Sequence, residues 1–220
     1  LSTLIKIYTK MYLMEKETVL VGFSGGVDSA ATAVILKNAV YRLIGATMLI
    51  WDPSLPVPQG EHAKNACLAP EKEDISEIEA IAKKLGIEFL TVDCRERYRQ
   101  VVLENFRSEY ACGRTPNPCV LCNSRIKFGV LPQAARAQGI HFDKFATGHY
   151  ARVVLDEKTG KYLLKKAVDL SRDQSYFLHR LTQEQLSKVL FPLGERTKPE
   201  IREIARQAGL SVADKEDSQD

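Results

Sequence analysis

Thr18-Val19-Leu20-Val21-Gly22-Phe23-Ser24-Gly25-Gly26-Val27-Asp28-Ser29 decides the fold. Its first six residues form a short apolar run rich in β-branched side chains, the pattern of a parallel strand buried on both faces. Ser24 to Ser29 reads as a turn, and Ala30 to Asn38 as an alanine-rich helix packed back on that strand. The adjacent glycines let the backbone turn sharply and approach an anion closely. Amides at the start of the following helix point at that anion. Ser24 and Ser29 add hydroxyl donors. Asp28 is the odd residue, because an acid repels phosphate; it makes sense holding Mg²⁺ or fixing loop amides. There is no Gly-x-x-x-x-Gly-Lys-Ser/Thr sequence, which argues against a P-loop NTPase.

Outward from this stretch, strands and helices alternate. Leu43 to Ile50 reads as a strand ending at Trp51-Asp52-Pro53, and Ser54 to Pro70 as a loop. Apolar spacing at Ile75, Ile78, Ala82 and Leu85 predicts a helix over Glu73 to Leu85, stopped by Gly86. A strand over Ile87 to Val92, a helix over Arg95 to Tyr110, a helix capped by Ser124 and running to Gln138, and a strand over Phe142 to Thr147 complete the alternation. The class is α/β, an open parallel doubly wound sheet. Ligand sites in such sheets lie at the carboxyl ends of the strands, where Ser24, Trp51-Asp52 and Gly148-His149 fall. After Tyr150 the pattern changes to a hairpin, with Val153 to Leu155 and Tyr162 to Lys165 flanking Asp156 to Gly160. Helices over Thr182 to Leu190 and Lys198 to Ala208 form a partly helical extension.

The bulk numbers fit an ordinary globular chain: 220 residues, 45% hydrophobic, 27% charged, net charge +3. No run of about 18 apolar residues predicts a membrane span. The five cysteines, Cys67, Cys94, Cys112, Cys119 and Cys122, are odd in number. They do not look like a secreted disulfide framework, so a reducing, cytoplasmic setting is expected. Residues 1–14 read as a leader, either a short amphipathic helix or a leftover of start-site choice, with Met11 and Met14 as candidate starts. Residues 15–210 read as the catalytic domain and 211–220 as the start of a further one.

Gly113-Arg114-Thr115-Pro116-Asn117-Pro118-Cys119-Val120-Leu121-Cys122-Asn123 places two cysteines three apart in a proline-stiffened loop. Thiols in exposed polar surroundings at a helix N-terminus tend toward reactivity. Half of a structural zinc site is the alternative, but no second Cys-x-x-Cys completes it. Cys94 and Cys112 read as ordinary small side chains. His149 reads equally as a base or ribose contact and as a structural histidine. Lys158, Lys161, Lys165 and Lys166 form a solvated face that is also suited to RNA phosphates.

Ser24 to Ser29 resembles the pyrophosphate loop of the N-type ATP pyrophosphatases, which split ATP between its α- and β-phosphates. Thr115 to Asn123, followed by Ile126-Lys127-Phe128, resembles the signature of the tRNA-specific 2-thiouridylases. Ala146 to Arg152, Arg172 to Leu178, Leu190 to Gly194 and Val212 to Lys215 agree with that family in order and spacing. The resemblance implies an adenine nucleotide alpha-hydrolase-like fold. It also implies ATP-dependent thiolation of the wobble uridine of tRNA at C2, with release of pyrophosphate and then AMP. On this resemblance Gly22, Phe23, Ser24, Gly25, Gly26, Val27, Asp28 and Ser29 hold ATP with Mg²⁺, and Met48 and Gly148 touch the nucleotide. Asn117, Pro118 and Cys119 meet the target base. Cys122 is the nucleophilic cysteine, and Arg172, Asp173 and Gln174 contact tRNA. A cysteine desulfurase or sulfur-relay protein supplies the sulfur.

The family's commoner residue at position 119 is Asp, and its usual second cysteine falls beyond Asp220. The partner of Cys122 is therefore open: Cys119, closing a disulfide; a cysteine beyond Asp220; or an iron–sulfur cluster on Cys119, Cys122 and Cys67. Two rival functions stand beside thiolation. One is an ATP pyrophosphatase adenylating a small molecule. The other is an inactive cysteine-cluster RNA-binding or sulfur-carrier module.

Overall fold

The computed structural model describes residues 16–51 and 72–215. Strands β1 (Thr18–Gly22), β2 (Arg42–Leu49), β3 (Glu88–Asp93), β4 (Lys144–Ala146) and a two-residue strand, Val189–Leu190, form one sheet. Its order is β3-β2-β1-β4 and then Val189–Leu190, and every pairing is parallel. The chain steps outward from β1 in both directions, so the strand order reverses between β1 and β4. That crevice, at the carboxyl ends, is where open α/β sheets bind ligands.

Alternate residues of β1 face opposite layers. Val19 and Val21 pack with helices α1 (Val27–Asn38) and α2 (Lys72–Leu85), while Leu20 joins the layer on the other face. That second layer is built on α3 and α4. Helix α3 runs as Arg95–Tyr98, Arg99–Leu103 and Glu104–Ala111; α4 runs as Pro118–Leu121, Cys122–Val130 and Leu131–Ala137. In both, the middle segment widens to the i→i+5 bonding of a π-helix, a departure that often marks functional sites. The sheet is doubly wound, as expected.

The hairpin is β5 (Ala151–Asp156) paired antiparallel with β6 (Lys161–Lys166). Short helices α5 (Ser175–Leu178) and α6 (Gln183–Lys188) follow, then α7 (Lys198–Gln207), which packs on α1. Two expectations are corrected. Val189 and Leu190 are not the end of a helix but an edge strand, paired with Phe145 and Ala146. Ser124 does not cap α4. The helix begins seven residues earlier, with Asn117 as its cap and Pro118 at its first position, where proline's missing N–H costs nothing. Ser124 is buried within the helix, and its hydroxyl donates back to the Val120 carbonyl. The cysteines thus lie inside a helix, not in a loop ahead of one.

Candidate nucleotide and thiol site

The loop after β1 has the build expected of an anion cradle. Gly25 sits at φ +76, a conformation that favours glycine. Gly26 precedes α1 in extended conformation, and no side chain among the described residues caps the helix at its first-turn amides. The Ser29 hydroxyl donates to the Gly26 carbonyl at 3.0 Å and accepts from the Ser24 amide at 3.2 Å, so the two serines brace the turn. Phe23 is tied to β2 by its amide, 2.8 Å from the Ala46 carbonyl. Val27 is buried in the core beneath. Gly148, after β4, lies hard against this loop: a Cβ there would stand 2.8 Å from the Asp28 carbonyl carbon and 2.9 Å from the Ser29 nitrogen. The structure therefore brings Gly22 to Ser29 and Gly148 together at the point where the strand order reverses.

Asp28 has partners that the sequence reading did not name. Both its oxygens accept from the Lys198 ammonium at 2.8 Å, and Oδ1 also accepts from the Tyr150 hydroxyl at 2.9 Å. Lys198 is the first residue of α7, and its side chain is only 9% exposed. A lysine in the first helical turn opposes the helix dipole; that unfavourable placement is a hint of a role, but nothing in the sequence links it to Asp28.

At the second cluster, the Asn117 side-chain Oδ1 accepts from the backbone amides of Cys119 and Val120, at 3.1 and 3.4 Å. Its role here is a helix cap. Asn123 donates to the Cys119 carbonyl at 3.0 Å, while its own side-chain oxygen is buried without a hydrogen-bond partner among the described residues. Cys119 and Cys122, both half-buried, are spaced i, i+3 in one helix, which puts their side chains on neighbouring positions. Cys122 packs on the same apolar layer as Met48 at the end of β2 and Cys94 just after β3, at the carboxyl edge of the sheet. Burial pushes the Cys94 thiol up to about 12, with the Asp93 carboxylate and Cys122 adding to it. Cys94 is thus a buried neutral thiol, in keeping with an ordinary small side chain. Cys112 is exposed at the end of α3.

The Arg172-Asp173-Gln174 tripeptide divides. Asp173 accepts from the Ala167 amide and the Ser175 hydroxyl, at 2.8 and 2.7 Å. Gln174 exchanges hydrogen bonds with the Tyr150 backbone, at 3.0 and 2.8 Å. Gln174 thereby braces the loop that carries Gly148, while Asp173 ties the end of β6 to the start of α5; Arg172 alone of the three is exposed. His149 is buried, 2.7 Å from the Thr147 hydroxyl through Nδ1, and clusters with the rings of Phe128 and Phe191. Burial, and then the Lys127 charge, hold its imidazole well below the ordinary range. That environment favours the structural reading of His149.

Asp28 is a single carboxylate already held by an ammonium, so the loop fits Mg²⁺ only as an ion carried mainly by nucleotide phosphates. No three His, Cys, Asp or Glu side chains among the described residues stand together as metal ligands. Cys67, the third ligand of the cluster alternative, lies outside the described residues, as does Asp52.

Residues 17–220 match the family described as the tRNA methyl transferase HUP domain. The chain belongs to that family. The tRNA-specific 2-thiouridylase MnmA of Endomicrobium trichonymphae is 53% identical over 208 residues, covering 94% of this chain and 58% of that protein. The enzyme of the same name from Heliobacterium modesticaldum is 47% identical over 205 residues, covering 93% of this chain and 51% of that protein. The resemblance read from the motifs is borne out, and the chain spans a little over half the length of these relatives. Among solved structures, a 4-thiouridine synthetase–RNA complex with bound ATP matches with TM-score 0.56 at 14% identity, covering 91% of this chain and 43% of that one. NMN synthetase from Francisella tularensis matches with TM-score 0.51, also at 14% identity, covering 94% of this chain and 68% of that one. Both share the fold. No helix among the described residues is long and apolar enough to cross a membrane.

Proposed function

We propose that this chain is the catalytic part of a tRNA-uridine 2-sulfurtransferase that uses ATP. The observation that carries the reading is the joint presence, on one carboxyl edge, of an anion cradle at the strand-order reversal and a two-cysteine helix, in a chain 53% identical to a 2-thiouridylase. In the first step the C2 oxygen of the uracil attacks the α-phosphorus of ATP. The bond to the bridging oxygen breaks, and pyrophosphate leaves with the electron pair. The cradle Gly22 to Ser29 orients the phosphates, and Gly148 allows their close approach. Mg²⁺, when bound with the nucleotide, offsets the charge of the phosphates.

In the second step the terminal sulfur of a Cys122 persulfide attacks C2, and AMP leaves with the oxygen. A second thiol then attacks Cys122 Sγ. The S–S bond breaks, the base keeps its sulfur with the electron pair, and a disulfide forms that an external thiol must reduce. Cys119, one helical turn away, is the described thiol best placed to act. The persulfide sulfur comes from a cysteine desulfurase or sulfur-relay protein, and Arg172, with the lysines of the hairpin, meets tRNA phosphate. The target base must leave its stack to be reached.

The test is an assay of the protein with ATP, tRNA and a persulfide donor, reading 2-thiouridine by nucleoside mass spectrometry. One AMP and one pyrophosphate are expected per thiolated uridine. ATP cleavage with equal speed when tRNA is omitted would instead favour a small-molecule substrate.

A further inference from the structure

Residues 172–180 divide their side chains between anchors and an exposed face. Leu178 is buried in the apolar layer that also holds Ile126 and Cys122. Asp173 and Gln174 are taken up by the backbone of Ala167 and Tyr150. Tyr176, by contrast, is 63% exposed, and Arg172, His179 and Arg180 are exposed along the same segment. The Tyr176 ring is nonetheless held. Its centroid lies 5.6 Å from that of Phe177, edge to face, and 5.7 Å from that of His179. His179 is fixed in turn, since its Nδ1 donates to the Tyr176 carbonyl at 2.6 Å. Helix α5, which carries Tyr176, packs against the first turn of α4, Pro118–Leu121, and against β6, where Lys165 and Lys166 are exposed.

An exposed tyrosine taken singly is ordinary. Two fixed rings among cations are a different matter. Proteins hold single-stranded nucleic acid with aromatic faces that stack on bases and positive groups that track the backbone. The nearby acids do not oppose this, because Asp169 and Asp173 are turned to backbone amides and serine hydroxyls. The centre of a protein–protein contact is instead depleted of lysine. Taking a target base out of its stack also leaves the neighbouring base with an open face. We propose that Tyr176 and His179 form the stacking platform for the RNA base next to the target uridine, with Arg172 and Arg180 on the flanking phosphates. This rests on the reading of the chain as a tRNA thiolase.

The experiment measures binding of an anticodon stem-loop RNA to the protein by fluorescence anisotropy, for wild type, Tyr176→Phe and Tyr176→Ala. Three RNAs are compared: one intact, one lacking the base 5′ of the target uridine, and one lacking the base 3′ of it. Stacking of one base is worth about fivefold or more in affinity. Tyr176→Ala should lose that much on the intact RNA, and Tyr176→Phe should keep it. On one of the two abasic RNAs wild type should already be weakened, and Tyr176→Ala should lose nothing further. The salt dependence of binding should match wild type, since no phosphate contact is removed. If Tyr176→Ala fails to fold by circular dichroism, Tyr176→Leu, which keeps bulk without an aromatic face, carries the same comparison. No loss, or an equal loss on all three RNAs, overturns the inference and leaves thiolation standing. Unchanged RNA affinity with slower persulfide loading from a donor protein would assign the rings to a protein partner and overturn it too. Failure of wild type to bind the RNA overturns both the inference and the tRNA reading beneath it.

Discussion

Asp28 in the nucleotide cradle is fixed by side chains 122 and 170 residues away. In the cysteine helix, the side chains of Asn117, Asn123 and Ser124 hydrogen-bond to backbone no more than four residues distant. The cradle is thus assembled by tertiary folding, when the loop after β4 and the start of α7 arrive. The cysteine segment is shaped by its own helix, from the Asn117 cap onward. Substitutions far along the chain should therefore damage nucleotide binding, whereas the geometry around Cys119 should respond mainly to its immediate neighbours.

The sharpest way to break this contrast is Gly148→Ala. Its Cβ would press on the Asp28 backbone at 2.8 Å. Overpacking of this kind costs about 1–3 kcal/mol, which in ATP affinity is a loss of roughly five- to hundredfold. Alkylation rates of Cys119 and Cys122 should not change. A variant that binds ATP normally, or that alters both readouts equally, would erase the distinction between the two regions.

A second test uses pH, because His149 belongs to the tertiary side. Its folded-state pKa is held low by burial, while in the unfolded chain histidine titrates near about 6.5. Below that pH the unfolded state binds more protons, so stability falls as pH drops, by up to about 1.4 kcal/mol per unit. Urea unfolding at pH 7 and pH 5 should show this loss, and His149→Phe should flatten it. An unchanged pH profile in that variant would contradict the assignment. The smallest effect is expected at the local cap: Asn117→Ala should cost about 1 kcal/mol of stability, seen in thermal melts, with ATP affinity intact. A loss of ATP affinity in this variant would show that the two regions are coupled.

The same contrast explains what could be read in the sequence. β1 to β4 were legible because buried parallel strands are short apolar runs, and the hairpin because Asp156 to Gly160 punctuates it. The cradle was legible because its glycines and serines are contiguous. Lys198 and Tyr150 were not, since no spacing links them to Asp28; only the lysine's unfavourable place at a helix start hints at a role. The edge strand Val189–Leu190 exists only through its ladder with Phe145 and Ala146, which no local pattern announces. The start of α4 was misplaced because Asn117 and Ser124 are both good caps. Pro118 was the deciding signal, and Ser124 turned out to bond back within the helix, as serine does in helix interiors. The π-helical segments leave no trace in apolar spacing.

Central to the account is that ATP activation and sulfur transfer are separate steps, carried by the cradle and by Cys122. The most direct measurement is made on Cys122→Ser, reading tRNA-dependent ATP–pyrophosphate exchange and 2-thiouridine formation in the same preparation. The account predicts exchange at the wild-type rate and no 2-thiouridine. Normal thiolation by this variant would contradict it.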